Sequence, residues 1–530
     1  MLRRAVFVLV LTVSVVLLVG SCSEQRASRV DIVGELDSLQ HKLLWADERI
    51  SEETWSAMTT GSADSLDFFV NLRRYVLYSA SFSPAWTGSD NLLGSEENKR
   101  RFVILGNDVK EAGIELSSPV KHLRDTIEND FAHNVIDFEG TSPRHDALLR
   151  VFQNASNRDR RESAWRAMNA IGNGADKKIE RLFRTRNQEA RKHRYNNYFA
   201  LMFTGHQIPT ADYLQLLQKI DSITADPYRQ ILDFVRERLG RQDIEIWDIY
   251  APYASVEEAV SNFFTVDSQM DFIDAGLADM GFDLDKLPVY LAVNDDPEGV
   301  PFARTLIVHP PEDQRVVGNL NGGVRSAQML MSALASALTA AYTTEQERLF
   351  ASMQVEPWRA GMQNLFASFC TDTLWLQKYM GVPRNVAENF GKAQHDRFII
   401  GLRLLLTDAM FEYEAYSNPD RDLNNLYWNL FERYTFLPPH QDVKPWAADL
   451  SYVSQPLSLQ WEMIGRLISR QTVAYLERTN GKLIGTQDTR SFLAQNYFRF
   501  GSRYPWTELL ERGTGEPLNP DYLVRNRQIE

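Results

Sequence analysis

Residues 330–342 read LMSALASALTAAY, and no charged residue occurs between Arg325 and Glu345. The apolar residues recur three and four positions apart, which is the spacing of one face of an α-helix. A helix that carries no charge over this length is expected to be buried. Ser332 and Ser336 are four positions apart and therefore lie one turn apart on the same face. The segment predicts a buried helix that presents two hydroxyl groups on one side.

Helical spacing of apolar residues continues along most of the chain. Two short runs, Val289–Val293 and Ala303–Val308, are instead typical of strands, and an acidic turn separates them. The pattern predicts a mostly α fold with a small antiparallel sheet. The clearest helical segments are residues 33–48, 66–80, 143–153, 175–200, 209–240, 322–342, 361–380, 384–416 and 456–478.

The amino terminus has the features of an export signal. Arg3 and Arg4 precede a run without charge at positions 5–20, which is too short to span a bilayer comfortably. The run ends in Val-Gly-Ser-Cys at 19–22, which resembles the lipobox of bacterial lipoproteins. The resemblance implies a signal peptide at 1–21, a lipidated Cys22 followed by a tether to residue 30, and attachment to the outer membrane of a Gram-negative cell. The alternative is a plain signal peptide or anchor helix in which Cys22 is incidental.

The net charge and the cysteine content limit the kinds of molecule that the protein is expected to bind. The formal net charge of −13 becomes −15 when the two arginines of the signal peptide are removed. This balance argues against a nucleic-acid partner and against broad electrostatic binding to anionic lipid. Acyl chains on Cys22 are therefore the expected membrane attachment. Cys370 is the only other cysteine and is expected to be a buried, inert thiol.

The segment around the charge-free helix is similar to gluzincin peptidases related to angiotensin-converting enzyme, with thimet-type oligopeptidases as more distant relatives. Their helix reads Leu-Leu-His-Glu-x-Gly-His-Ala-Leu at the place of LMSALASAL, and the flanking segments at 315–323 and 357–362 resemble theirs. On this resemblance Ser332 and Ser336 stand at the two histidine ligands of zinc, and Ala333 stands at the glutamate that activates water. Ala360, 24 positions after Ser336, stands at the third ligand.

These replacements imply that the zinc chemistry is lost. Catalytic zinc needs three protein ligands and an open position, and a neutral hydroxyl is a poor ligand while a methyl group is none. Without the metal and a glutamate at 333 there is neither an acidified water nor a base for it. No two histidines lie within one helical turn of each other, so the chain offers no substitute motif and zinc is not expected as a cofactor. The histidines are residues 41, 122, 133, 145, 193, 206, 309, 395 and 440.

The resemblance extends over about residues 145–525, including Arg186–Ala190 upstream and Trp446–Ser451 downstream. It implies a two-lobed helical body at 143–530 with a deep central cleft and a degenerate site within 310–380, preceded by a helical region at 31–142. The substrate-contacting histidine of the family falls at Ser451, and its oxyanion-stabilising tyrosines fall at Ser458 and Glu462. Their replacement would remove transition-state stabilisation.

Three functions remain open on this basis. The leading interpretation is a pseudopeptidase, a lipid-anchored protein that holds a peptide or partner segment by strand addition without cutting it. The alternatives are a scaffolding envelope protein with a closed cleft and an active metallopeptidase with non-standard ligands. The candidate peptide-binding edge consists of Ala303, Arg304, Thr305, Leu306, Ile307 and Val308.

Overall fold

A computed structural model describes residues 31–87, 93–206, 208–297 and 299–525 of the chain. The predicted signal peptide, Cys22 and the tether lie outside the described residues. None of the helices in the described ranges combines the length and the apolar character that crossing a bilayer requires.

The described chain is mostly helical, and the predicted fold class is confirmed. Short 3₁₀ turns occur at Pro84–Thr87, Ala251–Tyr253, Leu284–Lys286, Phe498–Phe500 and Pro520–Leu523. The α-helices are α1 (Ile32–Thr60), α2 (Leu66–Ala80), α3 (Glu96–Glu115), α4 (Ser118–Ala132), α5 (His145–Asn154), α6 (Arg158–Asn169), α7 (Gly172–Lys192), α8 (Tyr198–Gly205), α9 (Thr210–Leu239), α10 (Ala254–Ser261), α11 (Val266–Asp279), α12 (Gly323–Ala341), α13 (Arg348–Ser352), α14 (Trp358–Phe369), α15 (Thr373–Met380), α16 (Arg384–Ser417), α17 (Leu423–Thr435), α18 (Pro445–Ala448), α19 (Ser451–Ser454), α20 (Ser458–Asn480), α21 (Gln487–Asn496) and α22 (Trp506–Thr514).

Two predicted helices are each divided in the structure. The segment 361–380 contains the end of α14 and then α15, because the Asp372 carboxylate accepts a hydrogen bond from the Leu374 N–H (2.8 Å) and starts a new helix. The segment 175–200 is interrupted after α7, where Arg194 adopts a positive φ of 67°. Asn197 then caps α8 through the Ala200 N–H. In both places a local polar contact breaks the helical periodicity.

The sheet is mixed and not wholly antiparallel. Its strands are β1 (Val289–Asn294), β2 (Phe302–His309) and β3 (Asp313–Asn319), in the spatial order β1-β3-β2. β3 pairs antiparallel with β2 and parallel with β1. The prediction of an antiparallel sheet was wrong for the β1–β3 pair, because β3 lies between the two predicted strands. β2 is consequently an edge strand.

Helix α12 is the central element of the core, as its charge-free sequence predicts. Leu330, Leu334 and Ala337 are completely buried. The helix packs against α14 on one side and β2 on another. It starts where Gly322 and Gly323 both adopt positive φ angles, of 84° and 79°, a conformation that residues with a Cβ rarely adopt. The chain thereby turns from the sheet directly into the buried helix.

A buried ion pair joins the predicted amino-terminal region to the rest of the molecule. The completely buried Arg186 of α7 donates to both carboxylate oxygens of Glu115 on α3, at 2.7 and 2.8 Å. The same guanidinium donates to the carbonyl oxygens of Tyr452 and Val453, both at 2.6 Å. These bonds cross the predicted boundary at residue 142 and satisfy a charge that would be costly to bury alone.

Cys370 offers a direct test of this packing. The thiol is completely buried, and burial raises its pKa to about 12. Thiolate is the reactive form, so the native protein should be inert to a disulfide reagent at about pH 8. In a Cys22→Ser form, we expect no reaction with 5,5′-dithiobis(2-nitrobenzoate) until guanidinium chloride is added, and then one equivalent. Rapid stoichiometric reaction of the native protein would contradict the core described here.

Candidate functional site

Ser332 and Ser336 face a cavity of about 730 Å³ between α12, α14 and β2. Both serines line it, so the structure brings these two predicted positions together. Ala333 also lines the cavity, and its carbonyl oxygen accepts a hydrogen bond from the Thr305 hydroxyl at 2.5 Å. This bond fixes β2 against α12. The remaining lining residues are Ala303, Arg304, Thr305, Ile307, Arg325, Gln328, Met329, Gln354, Arg359, Gln363, Asn364 and Ala367.

The polar groups around the two serines are amides. The Ser332 hydroxyl donates to the Gln363 carbonyl oxygen (3.3 Å), and the Gln363 side-chain N–H donates to the Ser336 hydroxyl oxygen (3.1 Å). The Gln354 side chain donates to the Ser336 carbonyl oxygen at 2.6 Å. Gln354 and Gln363 are site residues that the sequence analysis missed. The signal available for Gln363 was its spacing of four from Arg359 and from Ala367, which places all three on one face of α14.

Ala360 does not line this cavity. It packs against α20, so closely that a Cβ on Gly465 would lie 2.7 Å from the Ala360 Cβ and 2.8 Å from its carbonyl carbon. The residue of α14 whose side chain reaches the serines is therefore Gln363. The structure brings together Ser332 and Ser336, and it places Ala360 in the contact between two helices.

The predicted carboxy-terminal positions lie apart from the two serines. Neither Ser451 nor Ser458 lines the cavity described above, and the Ser451 hydroxyl is buried without a hydrogen-bond partner among the described residues. Glu462 on α20 accepts hydrogen bonds from Arg466 (2.7 Å) and from the Asn364 side chain (3.1 Å). Because Asn364 lines the cavity, Glu462 contacts the site through one intervening residue.

A second cavity of about 820 Å³ adjoins the first and shares Gln328, Asn364 and Ala367 with it. It lies among α14, α15, α16 and α20. His395 lines it, and burial together with the nearby Arg470 lowers the pKa of this imidazole to about 4. The histidine is therefore neutral at physiological pH. The two cavities lie side by side next to α12 and are together called the cleft.

The residues at this site do not fit a zinc ion. The Gln363 N–H points at Ser336, and an N–H donor cannot bind a cation. The lining includes Arg304, Arg325 and Arg359 and no carboxylate or imidazole, so its fixed charges would repel a divalent cation. In the described ranges as a whole, no group of three or more histidine, cysteine, aspartate or glutamate side chains could hold a metal ion. The donor set is suited to hydrogen-bonding peptide groups or anions.

The comparisons with known proteins bear on the fold. The chain superposes on a solved structure described as Pz peptidase A with inhibitor 2, with a TM-score of 0.63 over 92% of this chain and 94% of that chain. The fold is that of a peptidase. The two sequences are 13% identical. Residues 151–275 match the model of peptidase family M3, and this match ends before α12 begins. Comparison with curated proteins gave no match.

The contact between α14 and α20 can be tested with two matched substitutions in this peptidase-like body. In Gly465→Ala the new Cβ would clash with Ala360, so the helices must separate, and we expect the free energy of unfolding to fall by about 1–3 kcal/mol. In Gly174→Ala on α7 a Cβ meets nothing within 4 Å, so stability should be unchanged or rise by up to about 1 kcal/mol. Equal effects in urea denaturation would contradict the tight contact.

Proposed function

We propose that this protein is a pseudopeptidase, which binds an extended peptide in its cleft and does not hydrolyse it. The observation that carries the proposal is the donor set at Ser332 and Ser336. Two hydroxyls stand at the positions where the resemblance puts the histidine ligands of zinc, and Gln363 hydrogen-bonds to both. Ala333 has no group that could accept a proton from water. The site thus has neither the metal ligands nor the base of the family's reaction.

The position of β2 supports peptide binding. It is an edge strand, and Ala303, Arg304, Thr305 and Ile307 line the cavity beside it. Leu306 and Val308 are buried in the core and hold the strand in place. The Ser51 hydroxyl of α1 donates to the Ile307 carbonyl oxygen, so α1 packs against β2 at this residue. An extended peptide could add to the remaining edge through main-chain hydrogen bonds.

The open cleft favours binding over a purely scaffolding role. A scaffold with a closed cleft would fill this space with side chains. Instead, two adjoining cavities of about 730 and 820 Å³ lie beside α12, each in the size range of a ligand site. We further propose that the protein is exported and held at the cell envelope by acyl chains on Cys22, which would position the cleft outside the cytoplasm.

Catalytic competence is tested by metal analysis and hydrolysis of fluorogenic peptides before and after chelation. We expect less than stoichiometric zinc and no cleavage, because the site lacks ligands and a base. One equivalent of zinc together with chelator-sensitive turnover would disprove the pseudopeptidase proposal.

Binding is tested by titrating a peptide library into the purified protein and measuring the heat released. Ala367 lies at the junction of the two cavities, so an Ala367→Trp side chain should block the cleft and weaken binding at least about tenfold. Ala275→Trp, on the exposed face of α11 and outside both cavities, is the matched control and should bind normally. Circular dichroism would verify that both variants are folded. Absence of binding across the library would count against the proposal.

A further inference from the structure

The charged side chains that line the two cavities differ in whether a partner neutralises them. Each carboxylate that lines the two cavities has a partner or a structural role: Glu388 pairs with Arg384 at 2.7 Å, Asp372 caps α15, and Glu477 is also engaged. Several of the cations are likewise neutralised. The paired cations are Arg359 with Glu356, Arg384 with Glu388, Arg397 with Glu257, and Arg466 with Glu462, and Arg470 is also engaged.

Three positively charged side chains of the cleft have no carboxylate partner in the part of the chain that the structure describes. Arg304 on β2, Arg325 at the start of α12 and Lys392 on α16 make no hydrogen bond or ion pair to any described residue, and all three side chains are exposed. The unpaired charge of the cleft is therefore entirely positive. This is the opposite of the molecule as a whole, whose formal net charge is −13.

Arg304 lies on the candidate peptide-binding edge, and Arg325 lies on the helix beside it. Arg304 belongs to β2 itself, and Arg325 belongs to the first turn of α12, next to which β2 runs. Both line the 730 Å³ cavity together with Ser332 and Ser336, and no carboxylate lines that cavity. A guanidinium is rigid and weakly hydrated, and it binds a carboxylate through two parallel hydrogen bonds.

We propose that the cleft selects extended peptide segments that carry carboxylates, with Arg304 and Arg325 binding them beside β2 and Lys392 extending the attraction into the second cavity. This inference rests on the proposed peptide-binding function and adds its ligand class. The carboxylate could belong to an aspartate or glutamate side chain or to the carboxy terminus of the ligand. The negative charge of the surrounding body repels acidic segments elsewhere and leaves the cleft as the attractive surface.

Four octapeptides separate the possibilities in isothermal titration calorimetry with the purified full-length protein. Three of them are acetylated at the amino terminus and amidated at the carboxy terminus. In the first, threonine alternates with glutamate, in the second with glutamine and in the third with lysine. The fourth is the glutamine peptide with a free carboxy terminus. We expect the glutamate peptide to bind at least about tenfold more tightly than the amidated glutamine and lysine peptides, with an affinity that falls as salt is added. Tight binding of the fourth peptide alone would identify a terminal carboxylate as the recognised group.

Substitutions then assign the effect to the arginines. Arg304→Gln and Arg325→Gln should each weaken the glutamate peptide by about tenfold and leave the amidated glutamine peptide unchanged. Arg74→Gln, an exposed arginine on α2 outside both cavities, removes the same charge and should change neither.

The outcomes distinguish this inference from the function on which it rests. Equal binding of the glutamate, glutamine and lysine peptides would overturn the charge selection and leave peptide binding intact. Failure of every octapeptide to bind would overturn both. An equal loss in Arg74→Gln and in the two cleft variants would show that net charge alone acts, and it would overturn the roles given to Arg304 and Arg325.

Discussion

Helix α14 lies between α12 and α20 and packs against α20 at a distance that only small residues permit. A Cβ at Gly361 would lie 2.7 Å from Ile468 Cγ2 on α20, and Gly465 of α20 has no room for a Cβ beside Ala360. These contacts fix the rotation of α14 about its own axis. The rotation in turn decides which residues meet α12, and it places Gln363 over Ser336 while Ala360 faces the neighbouring helix. The chemical character of the cleft follows from this packing.

The cleft has a polar floor and a positively charged rim. Its polar floor consists of hydroxyls and amides that hydrogen-bond to one another, which satisfies groups that would otherwise be buried without partners. Its rim carries positive charge that no neighbouring carboxylate neutralises. In a zinc peptidase the positive charge of the centre is supplied by the metal. Here arginine side chains supply it, at the edge of the site and in contact with solvent.

The sequence was sufficient to predict the elements whose signals are local. The charge-free run at 330–342 identified the buried helix, and the alternating residues of Ala303–Val308 identified β2. β3 was missed because Val316, Val317 and Gly318 are buried on both faces, so the strand shows no alternation, and its sequence was interpreted as the lead-in to the helix. Gln363 was missed because its position depends on the rotation of α14. That rotation is set by Gly361 and Gly465, each of which contacts a residue about a hundred positions away in the chain. The spacing of apolar residues within one helix gives no information about such distant contacts.

The contact between Ala360 and Gly465 also limits which side chains position 360 can hold. Imidazoles at 332 and 336 and a carboxylate at 360 would match, in the sequence alone, the zinc ligands that the resemblance places there. A Cβ on Gly465 would lie only 2.7 Å from the Ala360 Cβ, so α20 leaves little room on that side for a longer side chain at 360. A metal centre at these positions would require α14 and α20 to move apart and the core around them to repack. The close packing of these two helices therefore ties the chemistry of the cleft to the stability of the core.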